Sequence, residues 1–293
     1  MRIVSLLPSA TEIVCALGLR EQLVAITHEC DFPAGLEGIP VVTSSVLSGP
    51  ASSLAIDRHI RELVHEGSSI YRLDAERLQS LKPDLILTQE LCEVCAVSYP
   101  IVHDAARRLD GPVRLVSLEP QSLEDVFENI GLIGELTGRA GVADTLVREL
   151  ADRVARLREQ LQGRRRRTVL CLEWIDPPFN AGHWTPGLVE LAGGIDPLGA
   201  LGHPAVALDW EKVSGAESEL VVVMACGLTL ERSLEETTAI APRLGGRQTW
   251  VVDGNAYFSR PGPRLVDSAE IMAGILHPDA VPSPPATVAR RLA

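Results

Sequence analysis

Short apolar runs alternate with amphipathic helical patterns along this 293-residue chain, and this alternation limits the fold more than any other feature. Such runs are typical of buried strands, and strands separated by helices form parallel βαβ units. Strands are predicted in the first half at Ile3–Leu7, Leu23–Ile26, Leu85–Thr88 and Val113–Ser117. In the second half they are predicted at Thr168–Glu173, Leu220–Met224 and Trp250–Asp253. The chain is therefore expected to be an α/β protein with two parallel sheets.

A nearly continuous helical pattern separates the two halves. From Ser122 to Gln162 apolar residues recur mostly every three or four positions, although Gly138 and Gly141 can bend a helix there. A helix of about 40 residues is about 60 Å long, far more than one crossover needs. The pattern predicts two Rossmann-like lobes, residues 1–118 and 164–293, joined by one long α-helix at residues 119–163.

Composition and charge exclude several classes of protein. The chain is 46% hydrophobic and 23% charged, as in ordinary soluble proteins. A net charge of -12 argues against nucleic acid as a partner, and no apolar run is long enough to embed the chain in a membrane. The first residues lack the pattern of a secretory leader, so a cytoplasmic location is expected. The six cysteines are then expected as thiols, metal ligands or redox partners.

Polar and reactive residues cluster where predicted strands end, which is the edge at which parallel sheets bind ligands. These residues include Pro8, Ser9, Ala10, Thr11, His28, Glu29, Cys30, the segment 89–95, Glu173, Trp174, Cys226, Gly227 and the segment 253–260. Two lobes that face each other with these edges would form a cleft.

The pair Cys92 and Cys95 has the C-x-x-C spacing that grips one soft metal ion or closes a local disulfide. His28, Cys30 and His183 are the evident side chains to complete a zinc or iron site. A packing role without chemistry is the other interpretation. Cys15 and Cys171 lie within helix and strand patterns and are predicted to be core residues.

Two loops carry aromatic side chains together with a few polar groups, a combination that suits a large, flat ligand. The candidate ligand-binding residues of these loops are Glu173, Trp174, Phe179, Gly182, His183, Trp184, Tyr257, Phe258 and Arg260. Trp174 and Phe179 can instead fill a core. No nucleophile elbow, P-loop or dinucleotide motif is present, so no catalytic residue is assigned.

The chain resembles the cobalamin-binding, and more broadly siderophore- and haem-binding, substrate-binding proteins of ABC importers, the periplasmic-binding-protein-like class with one long connecting helix. The similarity covers nearly the whole chain. It rests on Ser5-Leu6-Leu7-Pro8-Ser9-Ala10-Thr11-Glu12, Leu81-Lys82-Pro83-Asp84-Leu85-Ile86, Pro177-Pro178-Phe179, and Tyr257-Phe258 with Arg260.

The resemblance implies that a corrinoid, most simply cobalamin, binds between the lobes against loops matching Pro8–Thr11, Phe179–Gly182 and Tyr257–Arg260. It also implies that Glu76 and Glu211 dock onto a transporter permease, although both can equally be surface carboxylates. The absence of a leader and the added thiols set the chain apart from exported members. A cytoplasmic metal- or thiol-dependent enzyme, or a metal or iron–sulfur carrier, is therefore kept as the alternative to corrinoid binding.

Overall fold

A computed structural model of the chain describes residues 1–47, 51–65, 70–90, 99–109 and 112–292. The chain folds into two compact units that take alternate stretches of the sequence. Unit 1 comprises residues 1–50, 58–119 and 127–147, and unit 2 comprises residues 51–57, 120–126 and 148–293. The predicted division at residues 118 and 163 remains a prediction, which fragments of the chain can test.

Unit 1 is built on a parallel sheet. Its strands are β1 (Ile3–Ser5), β2 (Leu23–Ala25), β3 (Thr43–Ser45), β4 (Tyr71–Leu73), β5 (Leu85–Thr88) and β6 (Arg114–Ser117). Strands β2, β1, β5 and β6 pair in that order, all parallel, while β3 and β4 form an antiparallel pair. The helices are α1 (Pro8–Ala16), α2 (Ser53–His65), which begins in unit 2, α3 (Ala75–Ser80) and α4 (Tyr99–Ala106).

The first helix starts earlier than expected. A hydroxyl cap before Glu12 is the sequence expectation, whereas α1 begins at Pro8 and its N-cap residue Leu7 makes no side-chain cap. Proline favours the first helical position because its fixed φ suits the helix and its missing N–H is not needed there. The Thr11 hydroxyl is therefore inside the helix and donates instead to Ser5 Oγ, 2.8 Å away.

The predicted single connecting helix is two helices, α5 (Leu123–Leu136) and α6 (Ala140–Gln160). Gly138 between them has a left-handed φ of +71°, which ends α5. The Gly138 N–H donates to the Glu135 carbonyl (3.3 Å) and the Arg139 N–H to the Gly134 carbonyl (2.6 Å). This pair of hydrogen bonds is a Schellman motif, and it provides donors for the last carbonyl groups of α5.

Unit 2 is built on a mixed sheet. Its strands are β7 (Arg167–Trp174), β8 (Phe179–Asn180), β9 (Gly194–Ile195), β10 (Leu220–Val223), β11 (Gln248–Val252) and β12 (Ala289–Arg291). Strands β7, β10 and β11 are parallel neighbours, and β8 and β12 add antiparallel edges. The helices are α7 (Thr185–Leu191), α8 (Trp210–Gly215), α9 (Leu230–Ile240) and α10 (Leu265–Leu276).

The α/β prediction is confirmed. All seven predicted strands are present with ends shifted by at most two residues. Their apolar side chains are buried in each unit, as with Val4 and Ile86 in unit 1 and Leu170 and Val221 in unit 2. Within the described ranges, no helix is long and apolar enough to cross a membrane.

Candidate functional site

In unit 1, most of the residues that follow β1 are buried. Pro8 is partly exposed, while Ser9, Ala10 and Thr11 are at most 3% exposed. A ligand at this edge can therefore reach Pro8 rather than the side chains of Ser9, Ala10 or Thr11. Their predicted role in binding remains a prediction.

The three reactive residues His28, Glu29 and Cys30, which lie in the loop after β2, have different partners. The His28 ring nitrogen Nδ1 lies 2.7 Å from Thr43 Oγ1, and its Nε2 lies 3.3 Å from a Glu29 carboxylate oxygen. The Cys30 sulfur lies 3.1 Å from Thr11 Oγ1, against α1. The His28 imidazole and the Cys30 thiol are therefore each held by a threonine hydroxyl.

Among the described residues, no group of three or more His, Cys, Asp or Glu side chains could hold a metal ion. Cys92 and Cys95 lie outside the described residues. A zinc or iron site on His28, Cys30, Cys92 and Cys95 thus gains no support from the part of the chain that is described.

In unit 2, Glu173 lies at the end of β7 and is held by the following loop. Its carboxylate accepts hydrogen bonds from the Gly182 N–H (3.1 Å) and the Thr185 hydroxyl. Burial raises its pKa to about 7, and the two hydrogen bonds oppose this only in part. Near neutral pH this group can either accept or donate a hydrogen bond.

Gly182 is fixed by its neighbours. A Cβ atom there would lie 2.4 Å from the Ala205 backbone nitrogen and 2.7 Å from the His203 carbonyl oxygen. The predicted residue is therefore required for close packing of the loop, and its amide is the one that binds Glu173.

His183 and Trp184 have different degrees of exposure. His183 is partly exposed, has a φ of +47°, and its Nδ1 lies 3.0 Å from Gln121 Oε1. Burial lowers the pKa of its imidazole, which favours the neutral ring at pH 7. Trp184 is 8% exposed, stacks on His183 and donates from Nε1 to the Phe258 carbonyl (2.8 Å). In this structure Trp184 supports the loops, and its contact with ligand remains a prediction.

The segment after β11 forms a π-helix at Gly254–Phe258. The Asp253 carboxylate caps it by accepting from the Ala256 N–H at 2.9 Å. Tyr257 is partly exposed, and the Arg264 guanidinium lies over its ring at 5.5 Å. Phe258 and Arg260 are 2% and 4% exposed, so Tyr257 is the predicted residue of this segment with most access to a ligand.

Trp174 and Phe179 are both partly exposed and oppose each other across the β7–β8 pair. The Trp174 Nε1 donates to the Ser53 carbonyl at 3.3 Å. Because β7, β10 and β11 are parallel, Glu173, Trp174 and the π-helix emerge at the same edge of this sheet. The part-exposed side chains Glu173, Trp174, Phe179, His183 and Tyr257 are called the unit 2 edge.

Sequence reasoning missed Asp196. Burial raises its pKa to about 6, and its carboxylate accepts from the Cys171 N–H (3.3 Å) and the Leu198 N–H (3.0 Å). The nearby charge of the Asp196 carboxylate also raises the pKa of Glu173. A single aspartate after a Gly-Gly turn gives no signal that it will be buried beside a strand.

A cavity of about 490 Å³ in unit 2 is lined by charged side chains of both signs, by Trp184 and by apolar side chains; the charged ones are Glu124, Arg158, Arg164, Arg166 and Glu190. None of the five unit 2 edge residues lines it. The cavity is therefore distinct from that edge.

Glu76 and Glu211, the predicted transporter contacts, are both exposed in the first turns of short helices, α3 in unit 1 and α8 in unit 2. Their exposure is compatible with docking, which remains a prediction.

The geometry of two α/β units with polar and aromatic strand ends defines a ligand-binding protein. The model of the periplasmic binding protein family matches residues 3–241, and the chain belongs to that family. This confirms the resemblance drawn from the sequence motifs.

Two relatives are similar to this chain over nearly its whole length. An uncharacterized ABC transporter substrate-binding lipoprotein, YvrC of Bacillus subtilis, is 23% identical over 95% of this chain and 80% of its own length. The vitamin B12-binding protein of Vibrio cholerae is 22% identical over 92% of this chain and 86% of its own. Among solved structures, a periplasmic heme binding protein from Pseudomonas aeruginosa superposes with a TM-score of 0.73 at 19% identity, covering 100% of this chain and 98% of that one.

Proposed function

We propose that the protein binds a large, flat metal chelate, most simply cobalamin, as the substrate-binding component of an ABC transporter. The observation that carries the proposal is the unit 2 edge, which combines partly exposed aromatic side chains with a carboxyl group whose pKa is raised and an imidazole whose pKa is lowered by burial. Aromatic faces contact the apolar surface of a macrocycle, and a few polar groups orient it.

Relatives named for vitamin B12 binding and for heme binding support this class of ligand. Cobalamin carries peripheral amides, which pair with a carboxyl group that can both donate and accept. Haem instead carries propionates, which a carboxylate repels. Glu173 on the unit 2 edge therefore favours cobalamin over haem.

Neither the metal- or thiol-dependent enzyme nor the metal or iron–sulfur carrier gains support from the described residues. Partnership with a permease rests on the family, and docking through Glu76 and Glu211 is part of the proposal. A cytoplasmic location remains a prediction.

Titration of the intrinsic tryptophan fluorescence with cyanocobalamin, and separately with haemin, tests the proposal. A dissociation constant in the micromolar range or tighter for cobalamin is expected. Binding weaker than about 1 mM, roughly -4 kcal/mol, for both ligands overturns it. Tight binding of haemin without binding of cobalamin would refute cobalamin as the ligand but support the broader class of large, flat metal chelates.

Two variants connect binding to the unit 2 edge. Tyr257→Ala and Trp174→Ala should each weaken cobalamin binding at least tenfold. Trp210→Phe is the matched control, because Trp210 lies on α8 beneath the Arg243 guanidinium and is not part of the edge. Equal affinities for all three variants would place the ligand elsewhere.

A further inference from the structure

The Cys30 thiol ends an ordered chain of hydrogen bonds in unit 1. Thr11 donates to Ser5 Oγ (2.8 Å), and Ser5 donates to the Leu7 carbonyl (2.9 Å). Since each hydroxyl has one proton and both are used, Thr11 is left to accept from the Cys30 thiol 3.1 Å away. The Thr27 hydroxyl, 3.4 Å from the same sulfur, is placed to donate to it. Cys30 is thereby fixed against the side of α1.

Cys15 lies on the same side of α1. Residues four apart on a helix are neighbours, with Cβ atoms about 5–6 Å apart, so Cys15 is one turn along from Thr11. The loop that starts at Cys30 then runs beside α1, because the guanidinium of Arg20, just past the helix, donates to the Gly35 carbonyl. The two ends of this loop are thus held to α1, which carries Cys15, and to Arg20 just past it.

Electrostatics give a second sign of this proximity. The pKa of the Cys15 thiol is raised, chiefly by burial, and the Cys30 thiol adds to the rise. Both cysteines are partly exposed and neither is in a disulfide in this structure, whereas Cys171 is buried. The expectation that Cys15 is a core residue is thus wrong, while that for Cys171 is confirmed.

We propose that Cys15 and Cys30 are a redox-active dithiol site, which a low-molecular-weight disulfide such as oxidised glutathione converts to an intramolecular disulfide. The inference does not depend on the identity of the ligand. It concerns a different pair from the C-x-x-C cysteines.

The chemistry is thiol–disulfide exchange in two steps. The Cys30 thiolate attacks one sulfur of oxidised glutathione, which forms a mixed disulfide and releases one glutathione thiolate. The Cys15 thiolate then attacks the Cys30 sulfur, which forms the intramolecular bond and releases the second glutathione. The cysteines lose two electrons, glutathione gains them, and the two thiol protons end on the released glutathiones. Oxidation removes the thiol proton that Cys30 donates to Thr11, at the first turn of α1.

Peptide mapping after incubation of the full chain with oxidised glutathione tests the proposal. Tryptic cleavage places Cys15 in peptide 3–20 and Cys30 in peptide 21–58, with no other cysteine in either. The expected product is one species joining these two peptides, lighter by two hydrogen atoms than their sum. It should separate into them on reduction.

A variant with Cys92→Ser and Cys95→Ser keeps the site and removes the competing pair. Its thiol count, measured after denaturation, should fall from four to two on oxidation. Adding Cys15→Ser should abolish the linked species and leave glutathione on Cys30. The proposal is overturned if the two peptides stay separate, each carrying glutathione. In the wild-type chain, a link from either peptide to peptide 78–107, which contains Cys92 and Cys95, also overturns it.

Discussion

At the scale of the residue, Glu173 is a carboxyl group whose protonation depends on folding. Its pKa rises from 4.5 to about 7 because the fold buries it. Below pH 4.5 the group is neutral in both the folded and the unfolded chain, so it does not change the free energy of unfolding. Between pH 4.5 and 7 the unfolded chain ionises first, and the free energy of unfolding falls as the pH rises.

Glu173→Gln should therefore stabilise the protein at pH 8 and leave it unchanged at pH 4. Glutamine keeps the acceptor for the Gly182 N–H but has no charge to bury. The expected gain at pH 8 is about 1–3 kcal/mol, measured by urea unfolding, since one pKa unit is worth about 1.4 kcal/mol and some solvent contact remains.

Glu219→Gln is the matched control with the opposite sign. The Glu219 carboxylate accepts hydrogen bonds from the guanidinium groups of Arg165 and Arg167, and these bonds lower its pKa to about 2. This variant should lose stability above pH 4.5 and match the wild type near pH 2. If Glu173→Gln loses stability at pH 8 in the same way, the carboxyl group is ionised and paired in the fold.

The residue scale is also where sequence reasoning has its limits. The positions of Glu173 near a strand end and of His183 in a loop are predictable because both features can be read from local sequence pattern, while their role in binding remains a prediction. The inward packing of Trp184 against the Phe258 carbonyl joins residues 74 apart in the chain, and no local pattern encodes such a contact. Cys15 was assigned to the core from helical spacing alone, although the part-exposed thiol depends on where a distant loop runs.

At the scale of the element, the break between α5 and α6 depends on Gly138. A Cβ atom there would meet nothing within 4 Å, so Gly138→Ala costs only the strain of a left-handed φ, about 1 kcal/mol of unfolding free energy. Gly131→Ala inside α5 also has open space around it, yet its backbone is helical, and it should stabilise by about 1 kcal/mol. Chemical denaturation of the two variants measures both values. A stabilising Gly138→Ala would indicate that the helix continues through this residue.

Strands β1, β5 and β10 were predictable because each is a short, mainly apolar run that is buried on both faces. The helix break was not, because glycine both bends and ends helices, and only the carbonyl partners at Glu135 and Gly134 decide which. The edge strands β8 and β9 have two residues each, too short for any periodicity to show.

At the scale of the whole molecule, each of the two units is built from several separate segments of the chain. Residues 51–57 belong to unit 2, although most of the chain around them builds unit 1. Ser53 donates from its hydroxyl to Glu236 (3.0 Å), its carbonyl accepts from Trp174, and Ile56 packs on the unit 2 core. Arg153 on α6 pairs with Asp267 and Glu270 on α10. Unit 2 therefore depends on residues 51–57, far from its main segment, and on α6, which precedes the predicted lobe at residues 164–293.

The fragment 164–293, one of the predicted lobes, should consequently fail to unfold cooperatively when thermal unfolding is followed by circular dichroism. It lacks Ser53, the partner of Trp174, and Arg153, the partner of Asp267 and Glu270, which leaves polar and charged groups without these contacts. The full chain carrying Ser53→Ala and Ile56→Ala is the control, because it loses only the contacts of residues 51–57. It should unfold cooperatively with a free energy lower by about 1–4 kcal/mol. A fragment that unfolds at the same midpoint as the full chain would establish residues 164–293 as an independent domain and make the short inserted segments dispensable.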